Sequence, residues 1–344
     1  MKILVNASEK RYLESNITVL KELKNRNHEI LLMLHLHDIP ANKGTAEEYR
    51  KAGFNTLMGA EMMAYDGKDS IDYITKFKPD ILLPMEPAIY SWIKMYKNFR
   101  PHFPKIPIVS IQNSFGGLTE EAYKDIQREG GWYTDWHLCW GSQQVARNAA
   151  YMFPKERMPI TGNPNWDKYF QAQVEDQGYV LFIAGTGIDY LKSLRIDKIY
   201  KDFPKLSWIF KEHPNHQRLF QNTCMLAGKP RTKITYDAPI QKLIRCAKIV
   251  ISSTSTCGID AMLLNKPTII LDVGDNTRKF ETCGRLLTKP DYGRFGKELS
   301  QCLKGEEDRS KIPAFLNSVA YLNDGKATQR VVEVIERIEK REAF

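Results

Sequence analysis

The sequence has no C-x-x-C pair; its six cysteines stand apart at positions 139, 224, 246, 257, 283 and 302. That spacing excludes a zinc-ribbon type of site. In a chain this long it points to free thiols in a reducing compartment, not to a disulfide framework. No apolar run approaches the ~18 residues that a membrane-spanning helix needs. The opening stretch, MKILVNASEKRYLE, lacks the apolar segment of a secretory leader. A cytoplasmic protein is the expectation. Repeats of solenoid length and low-complexity tracts are also missing, which sets aside repeat and disordered architectures.

What remains is an ordinary globular composition over 344 residues, 42% hydrophobic and 26% charged. One hydrophobic core rarely serves so long a chain, so two domains are expected. The net charge is +9, and it is unevenly placed. Residues 1–170 carry 22 basic and 20 acidic side chains, residues 171–344 carry 28 and 21, and the stretch 201–250 alone holds 10 and 3. A coat for nucleic acid would spread its charge, so this clustering suggests one local anion site in the second half.

Short apolar runs alternate with amphipathic stretches, the pattern of a parallel sheet with crossover helices. Strands are expected at 2–7, 29–35, 80–85, 106–112, 136–140 and 158–161, with helices at 14–26, 70–77 and 142–152. The pattern then restarts, with strands at 179–184, 206–211, 249–252 and 268–272 and helices at 239–246 and 258–264. After a less regular stretch, 327–339 reads as a terminal helix with Val331, Val334, Ile335 and Ile338 on one stripe. The fold class is therefore α/β, with two Rossmann-like domains facing across a cleft. Residues 1–170 would form the first domain and 171–344 the second, the terminal helix packing back on the first. Ligands of such sheets sit beyond the carboxyl ends of the strands.

Several loops in those places carry chemistry. Lys211-Glu212-His213-Pro214 follows a strand and presents an imidazole for a phosphate oxygen, with Lys201, Lys205, Lys211 and Arg218 as the surrounding cations. The run Ser252-Ser253-Thr254-Ser255-Thr256-Cys257-Gly258-Ile259-Asp260 lies between a strand and a helix. Its hydroxyls and the helix's positive end suit a diphosphate through Ser253, Thr254, Ser255 and Thr256. Gly258 allows close approach, and Asp260 suits the sugar hydroxyls of a nucleotide. Gly185-Thr186-Gly187 opens the second domain as a tight turn whose amides are placed to meet a phosphate. In the first domain Glu86, at a strand end, is the leading candidate for a general base, with Glu9 second. Asn113, Ser114, Gly162 and Asn163 are expected on the acceptor side of the cleft.

Three passages resemble a known group of enzymes. They are Cys139-Trp140-Gly141-Ser142 with Thr161-Gly162-Asn163-Pro164-Asn165-Trp166-Asp167, then Glu212-His213-Pro214 with STSTCGIDAMLLNKPTII, and Asn323-Asp324-Gly325-Lys326-Ala327. Together they are similar to bacterial surface-polysaccharide enzymes: glycerophosphotransferases that use CDP-glycerol, capsule transferases and the UDP-N-acetylglucosamine 2-epimerase group. The resemblance covers about residues 136–340 and implies the GT-B architecture. It implies a nucleotide donor in the second domain, with His213 and Ser253–Thr256 on its phosphates and Asp260 on the ribose, and an acceptor in the first. It further implies that no metal or other cofactor is required, in keeping with the missing Asp-x-Asp motif.

The expected function is metal-independent transfer of a sugar or alditol phosphate from a UDP- or CDP-linked donor to a hydroxyl acceptor, a cell-envelope glycan or lipid-linked precursor. Peripheral membrane association is left open, and the residues carry no signal for oligomeric state. Three other readings stand beside it: a phage-type DNA glycosyltransferase acting on a hydroxylated base, a UDP-sugar 2-epimerase, and a non-catalytic nucleotide-sugar sensor. The near-neutral first half disfavours a DNA acceptor. Gly187-Ile188-Asp189-Tyr190, where the epimerases carry a His- and Arg-rich segment, disfavours the epimerase.

Overall fold

The computed structural model describes residues 1–7, 10–34, 44–58, 68–84, 100–112, 134–183, 194–212, 226–235, 238–253, 255–272 and 277–342. The chain divides into two compact units. One is Met1–Asp167 together with Ser318–Phe344, and the other is Lys168–Asn317.

The first unit is built on the parallel strands β1 (Lys2–Ala7), β2 (Glu29–Leu34), β3 (Asn55–Met58) and β4 (Ile81–Pro84), in the order β3-β2-β1-β4. A parallel bridge from Leu82 to Ile108 continues the row to β5 (Val109–Ile111), which pairs with β6 (Trp136–Leu138). Helices α1 (Lys10–Asn25), α2 (Thr45–Lys51), α3 (Lys68–Phe77) and α4 (Ser142–Ala150) connect these strands. Strands such as ILLML and ILLP are buried almost throughout, as a sheet covered on both faces requires. On one face Ile3, Val5, Leu32 and Leu83 pack with Leu20 and Leu23 of α1. On the other, Leu4, Leu31 and Leu82 meet Ile74 of α3.

The second unit holds a six-stranded parallel sheet of β7 (Tyr179–Ile183), β8 (Ser207–Lys211), β9 (Thr232–Thr235), β10 (Ile249–Ser252), β11 (Thr268–Leu271) and β12 (Leu286–Leu287). Its order is β12-β11-β10-β7-β8-β9. The chain thus runs outward from β7 to β9, returns to lay β10 against the other side of β7, and runs outward again. This is the doubly wound dinucleotide-binding order. Phe182, Trp208, Phe210 and Ile251 form its core with Ile199 of α5 (Ile196–Asp202) and with Phe295 and Leu299 of α8 (Tyr292–Lys304). Helices α6 (Ile240–Cys246) and α7 (Thr256–Leu263) flank β10.

Helix α9 (Ile312–Ala320) leads out of the second unit, and α10 (Ala327–Lys340) joins the first. Val331, Val332, Ile335 and Ile338 bury their side chains in the core beside Ile3 and Val109, with Val334 half-buried beside them. The entry to α10 is fixed by distant residues. The Asp167 carboxylate accepts from the Ala327 and Thr328 amides at 2.8 Å each, capping the helix from another part of the chain. Arg330 grips both Asp324 oxygens, at 2.9 and 2.8 Å, and donates to the Thr161 carbonyl at 2.8 Å.

Most expected elements are present, with ends shifted by a few residues. The strand expected at 158–161 is reduced to one bridge, Cys139 to Ile160. Among the described residues, seven α-helices and strands had no expectation: α2, β3, α5, β9, β12, α8 and α9. Among the described residues no helix is long and apolar enough to cross a membrane.

Candidate functional site

In a doubly wound sheet the two central strands turn their connections to opposite sides, which leaves room for a ligand at their carboxyl ends. In the second unit those ends are Ile183 of β7 and Ser252 of β10, adjacent partners in the sheet. Ser252 is fully buried, and its hydroxyl has no hydrogen-bond partner among the described residues. Leaving such a group unpaired costs about 1–3 kcal/mol. Ser253 is 3% exposed. Ser255 is the N-cap of α7, its Oγ accepting from the Cys257 amide at 3.4 Å, and the Gly258 amide donates to the Ser255 carbonyl at 3.0 Å.

Lys211 ends β8, next to β7 in the sheet, and is 6% exposed. Its ammonium donates to the Glu212 carbonyl at 2.8 Å and lies near enough to Cys257 to favour the thiolate. Burial outweighs that help. Burial first and the Asp260 charge second push the Cys257 thiol up to about 12, so it is a neutral packing group and not a nucleophile. A buried cation therefore stands beside the first turn of α7, where the helix end is already positive. A helix N-terminus with a cation beside it favours an anion.

Asp260 lies one turn into α7. Tyr169 hydrogen-bonds to it and Lys168 sits within electrostatic reach. Nothing in the sequence ties these residues to Asp260, since they lie far apart along the chain. A Cβ on Gly258 would collide with Ile270 Cδ1 of β11, so its missing side chain lets α7 pack against the sheet.

The expected basic cluster is divided. Lys201 falls in the last turn of α5 and Lys205 precedes β8, so both lie at the amino edge of the sheet; Lys211 lies at the carboxyl edge. Lys229 and Arg231, before β9, and Lys248, before β10, also belong to the amino edge. A depression of about 280 Å³ on that side is lined by Gln177, Tyr179, Ser207, Ile209, Arg231 and Lys233. The excess charge of 201–250 is therefore no single site.

Two other expected site residues are already engaged within the first unit. Gly162 adopts a φ of +81°, with Ala327 Cβ 3.1 Å from where its own Cβ would stand. Asn163 is 4% exposed and accepts the Asn165 amide at 2.9 Å. Gly162 thus seats the terminal helix and Asn163 closes its own turn. Glu9, Glu86, Asn113, Ser114, Gly185, Thr186, Gly187, His213, Arg218 and Thr254 lie outside the described residues. Among the described residues no group of three His, Cys, Asp or Glu side chains is gathered to hold a metal ion.

No protein-family model and no curated protein matches the sequence. Solved structures do match, over nearly its whole length. The UDP-GlcNAc 2-epimerase of Neisseria meningitidis, bound to UDP-GlcNAc, is 16% identical with a TM-score of 0.70, over 98% of this chain and 100% of that one. A glycosyltransferase from Rickettsia africae is 11% identical with a TM-score of 0.64, over 99% of this chain and 98% of the other. The wall teichoic acid polymerase TagF is 15% identical with a TM-score of 0.60, over 99% and 89%. The chain has the GT-B fold. Within the GT-B fold its second unit carries the hydroxyl run, the buried lysine and the acidic residue of α7 at one sheet edge, whereas the motif around Gly162 and Asp167 fastens the terminal helix.

Proposed function

We propose that the protein is an enzyme acting on a nucleotide-linked sugar, and specifically that it transfers a sugar or alditol phosphate from a UDP- or CDP-linked donor to a hydroxyl acceptor. One observation carries the reading: the unpartnered Ser252 hydroxyl and buried Lys211 lie at the carboxyl edge of the second unit's sheet, beside the N-terminus of α7. In this reading the diphosphate takes the Ser252 and Ser253 hydroxyls at the N-terminus of α7, and the ribose hydroxyls face Asp260. The side chains beyond β7 and His213 complete the donor site. Lys211 and the helix end offset the charge that builds on the leaving diphosphate, a contribution of several kcal/mol to lowering the barrier.

Glu86, two residues beyond β4, is the proposed base. It takes the proton of the acceptor hydroxyl as that oxygen attacks the donor, at the anomeric carbon for a sugar or at phosphorus for an alditol phosphate. The bond to the nucleotide breaks and the electron pair leaves with UDP or CMP. The proposed acceptor is a cell-envelope glycan or lipid-linked precursor.

A second reading is a UDP-sugar 2-epimerase, favoured by the full-length similarity to proteins so described. One experiment separates the two. The protein is incubated with a UDP-sugar in deuterated water, without acceptor. Slow release of UDP with no label in the sugar supports the transferase, whereas deuterium at C2 supports the epimerase. Glu86→Gln is expected to abolish turnover and spare donor binding; near-normal turnover would remove Glu86 from the mechanism.

A further inference from the structure

Six cations lie at or next to the amino edge of the second unit's sheet: Lys201, Lys205, Lys229, Arg231, Lys233 and Lys248. Two hydrogen bonds draw their segments together. Tyr200, in α5, donates its hydroxyl to the Pro230 carbonyl at 2.7 Å, and Arg231 donates to the Pro204 carbonyl at 3.4 Å. Among the described residues none of the six cations makes an ion pair. The carboxylates of this edge are engaged or stand apart. Asp202 accepts from the Tyr292 hydroxyl, and Glu175 and Asp176 precede β7, two strands from β9. The acidic segment 306–308 lies by β12, where the Asp308 carbonyl accepts from Arg285 at 3.4 Å. The cations therefore form a corner beside β8 and β9.

Lys229-Pro230-Arg231-Thr232 is a turn, closed by the Thr232 amide on the Lys229 carbonyl at 3.3 Å. Arg231 holds a φ of +56° there, where glycine would sit without strain. It is exposed, and with Ser207, Ile209 and Lys233 it lines the depression of about 280 Å³. Five of the six cations are lysines. These are compact point charges suited to a diffuse anionic surface, whereas recognition of a single phosphate favours the guanidinium fork. No aromatic ring among the described residues of 200–248 is exposed, so the stacking platform of a single-stranded nucleic acid is not provided by them. Unpaired cations gathered at one corner repel one another. An anionic surface within a screening length, about 10 Å at 0.1 M salt, offsets that repulsion.

We propose that this basic corner of the second unit is a docking surface for anionic lipid bilayers, holding the protein at the membrane by charge. Each cation near such a surface strengthens binding about fivefold. The docking corner and the proposed donor site lie at opposite edges of one sheet, so lipid and nucleotide are taken up independently.

The test is sedimentation of the full chain with vesicles of phosphatidylglycerol and phosphatidylcholine in equal parts, and with vesicles of phosphatidylcholine alone. The wild type is expected to bind the first and not the second. It should be released at about 1 M salt, where the screening length falls to about 3 Å. Arg231→Gly is expected to weaken binding about fivefold, and Arg231→Gly combined with Lys205→Ala about twenty-five-fold. Arg231→Gly also relaxes a strained backbone position, so its melting temperature should hold and its loss of binding cannot be laid to unfolding. Lys51→Ala removes one charge from the first unit, where Lys51 pairs with Glu47 at 2.9 Å, and should leave binding unchanged. Equal binding to the two kinds of vesicle overturns the proposal. So does a loss in Lys51→Ala as large as that in Arg231→Gly, which would make net charge the cause. Binding of an oligonucleotide in place of vesicles, weakened by the same two substitutions, would assign the corner to nucleic acid and overturn the proposal as well.

Discussion

Two motifs that carry the family resemblance behave differently once folded. In the first unit, Thr161-Gly162-Asn163 and Asp167 meet Asp324, Ala327, Thr328 and Arg330, and these contacts seat the terminal helix. In the second, the run from Ser252 to Asp260 leaves a buried hydroxyl unpartnered beside a helix N-terminus and a buried lysine. Both were candidates for ligand binding as sequence. The contrast teaches that a recurring motif can keep a fold or hold a ligand, and that the polar groups left over in the folded chain distinguish the two.

Changes in the first motif should therefore damage stability, and changes in the second should damage binding. The largest effect is expected at Asp167. Asp167→Ala strips two caps from α10, and a loss of about 1–3 kcal/mol should appear as a lowered unfolding midpoint in denaturant. Ser252→Ala should barely change that midpoint, because it removes a group with no protein partner, yet it should weaken binding of a nucleoside diphosphate. Equal destabilisation by the two substitutions would erase the comparison.

Next comes charge at the two edges of the second sheet. Lys211→Ala is expected to weaken UDP or CDP binding by about tenfold, a hydrogen bond to a charged group. Lys205→Ala, on the opposite edge, should leave affinity unchanged; titration calorimetry on both variants checks this. A comparable loss from Lys205→Ala would return the whole basic stretch to a single site.

Smaller consequences concern packing and pH. Gly258→Ala must displace only the tip of Ile270 and should cost about 1 kcal/mol, readable as a drop in melting temperature. If Gly258 instead admitted the ligand, binding would fall while the melting temperature held. In the first unit, His137 is buried with its Nδ1 2.7 Å from Ser110 Oγ, and burial lowers its pKa to about 4. The unfolded chain protonates this imidazole first as pH falls below about 6.5, so stability declines from there down to about pH 4. His137→Gln should flatten that part of the pH–stability curve.

The sequence was most legible where a strand is wholly apolar. YVLFI, IVIS and TIIL are buried along their full length and stand within a residue of their expected limits. It was least legible where burial is partial or helix formers are diluted. β9, TKIT, is a half-exposed edge strand. α8 carries Gly293 and Gly296 within its span and is held by the Asp291 cap, whose side chain accepts the Arg294 amide at 3.0 Å, and by burial of Phe295 and Leu299.

The hydroxyl run of the candidate site was readable because its residue types recur in one short segment. The edge at which each lysine lies was not, because chain neighbours on either side of one strand end up at opposite edges of the sheet. Only the strand limits separate Lys205 from Lys211. The pairing of Tyr169 with Asp260 had no local signal at all.

The proposed site for a nucleoside diphosphate lies in the second unit, at the junction of β7 and β10. A crystal structure of the protein soaked with UDP or CDP tests it most directly. The expected result is a diphosphate within hydrogen-bonding reach of Ser252 Oγ and the first turn of α7. A diphosphate lodged instead in the amino-edge depression beside Arg231 and Lys233 would contradict it.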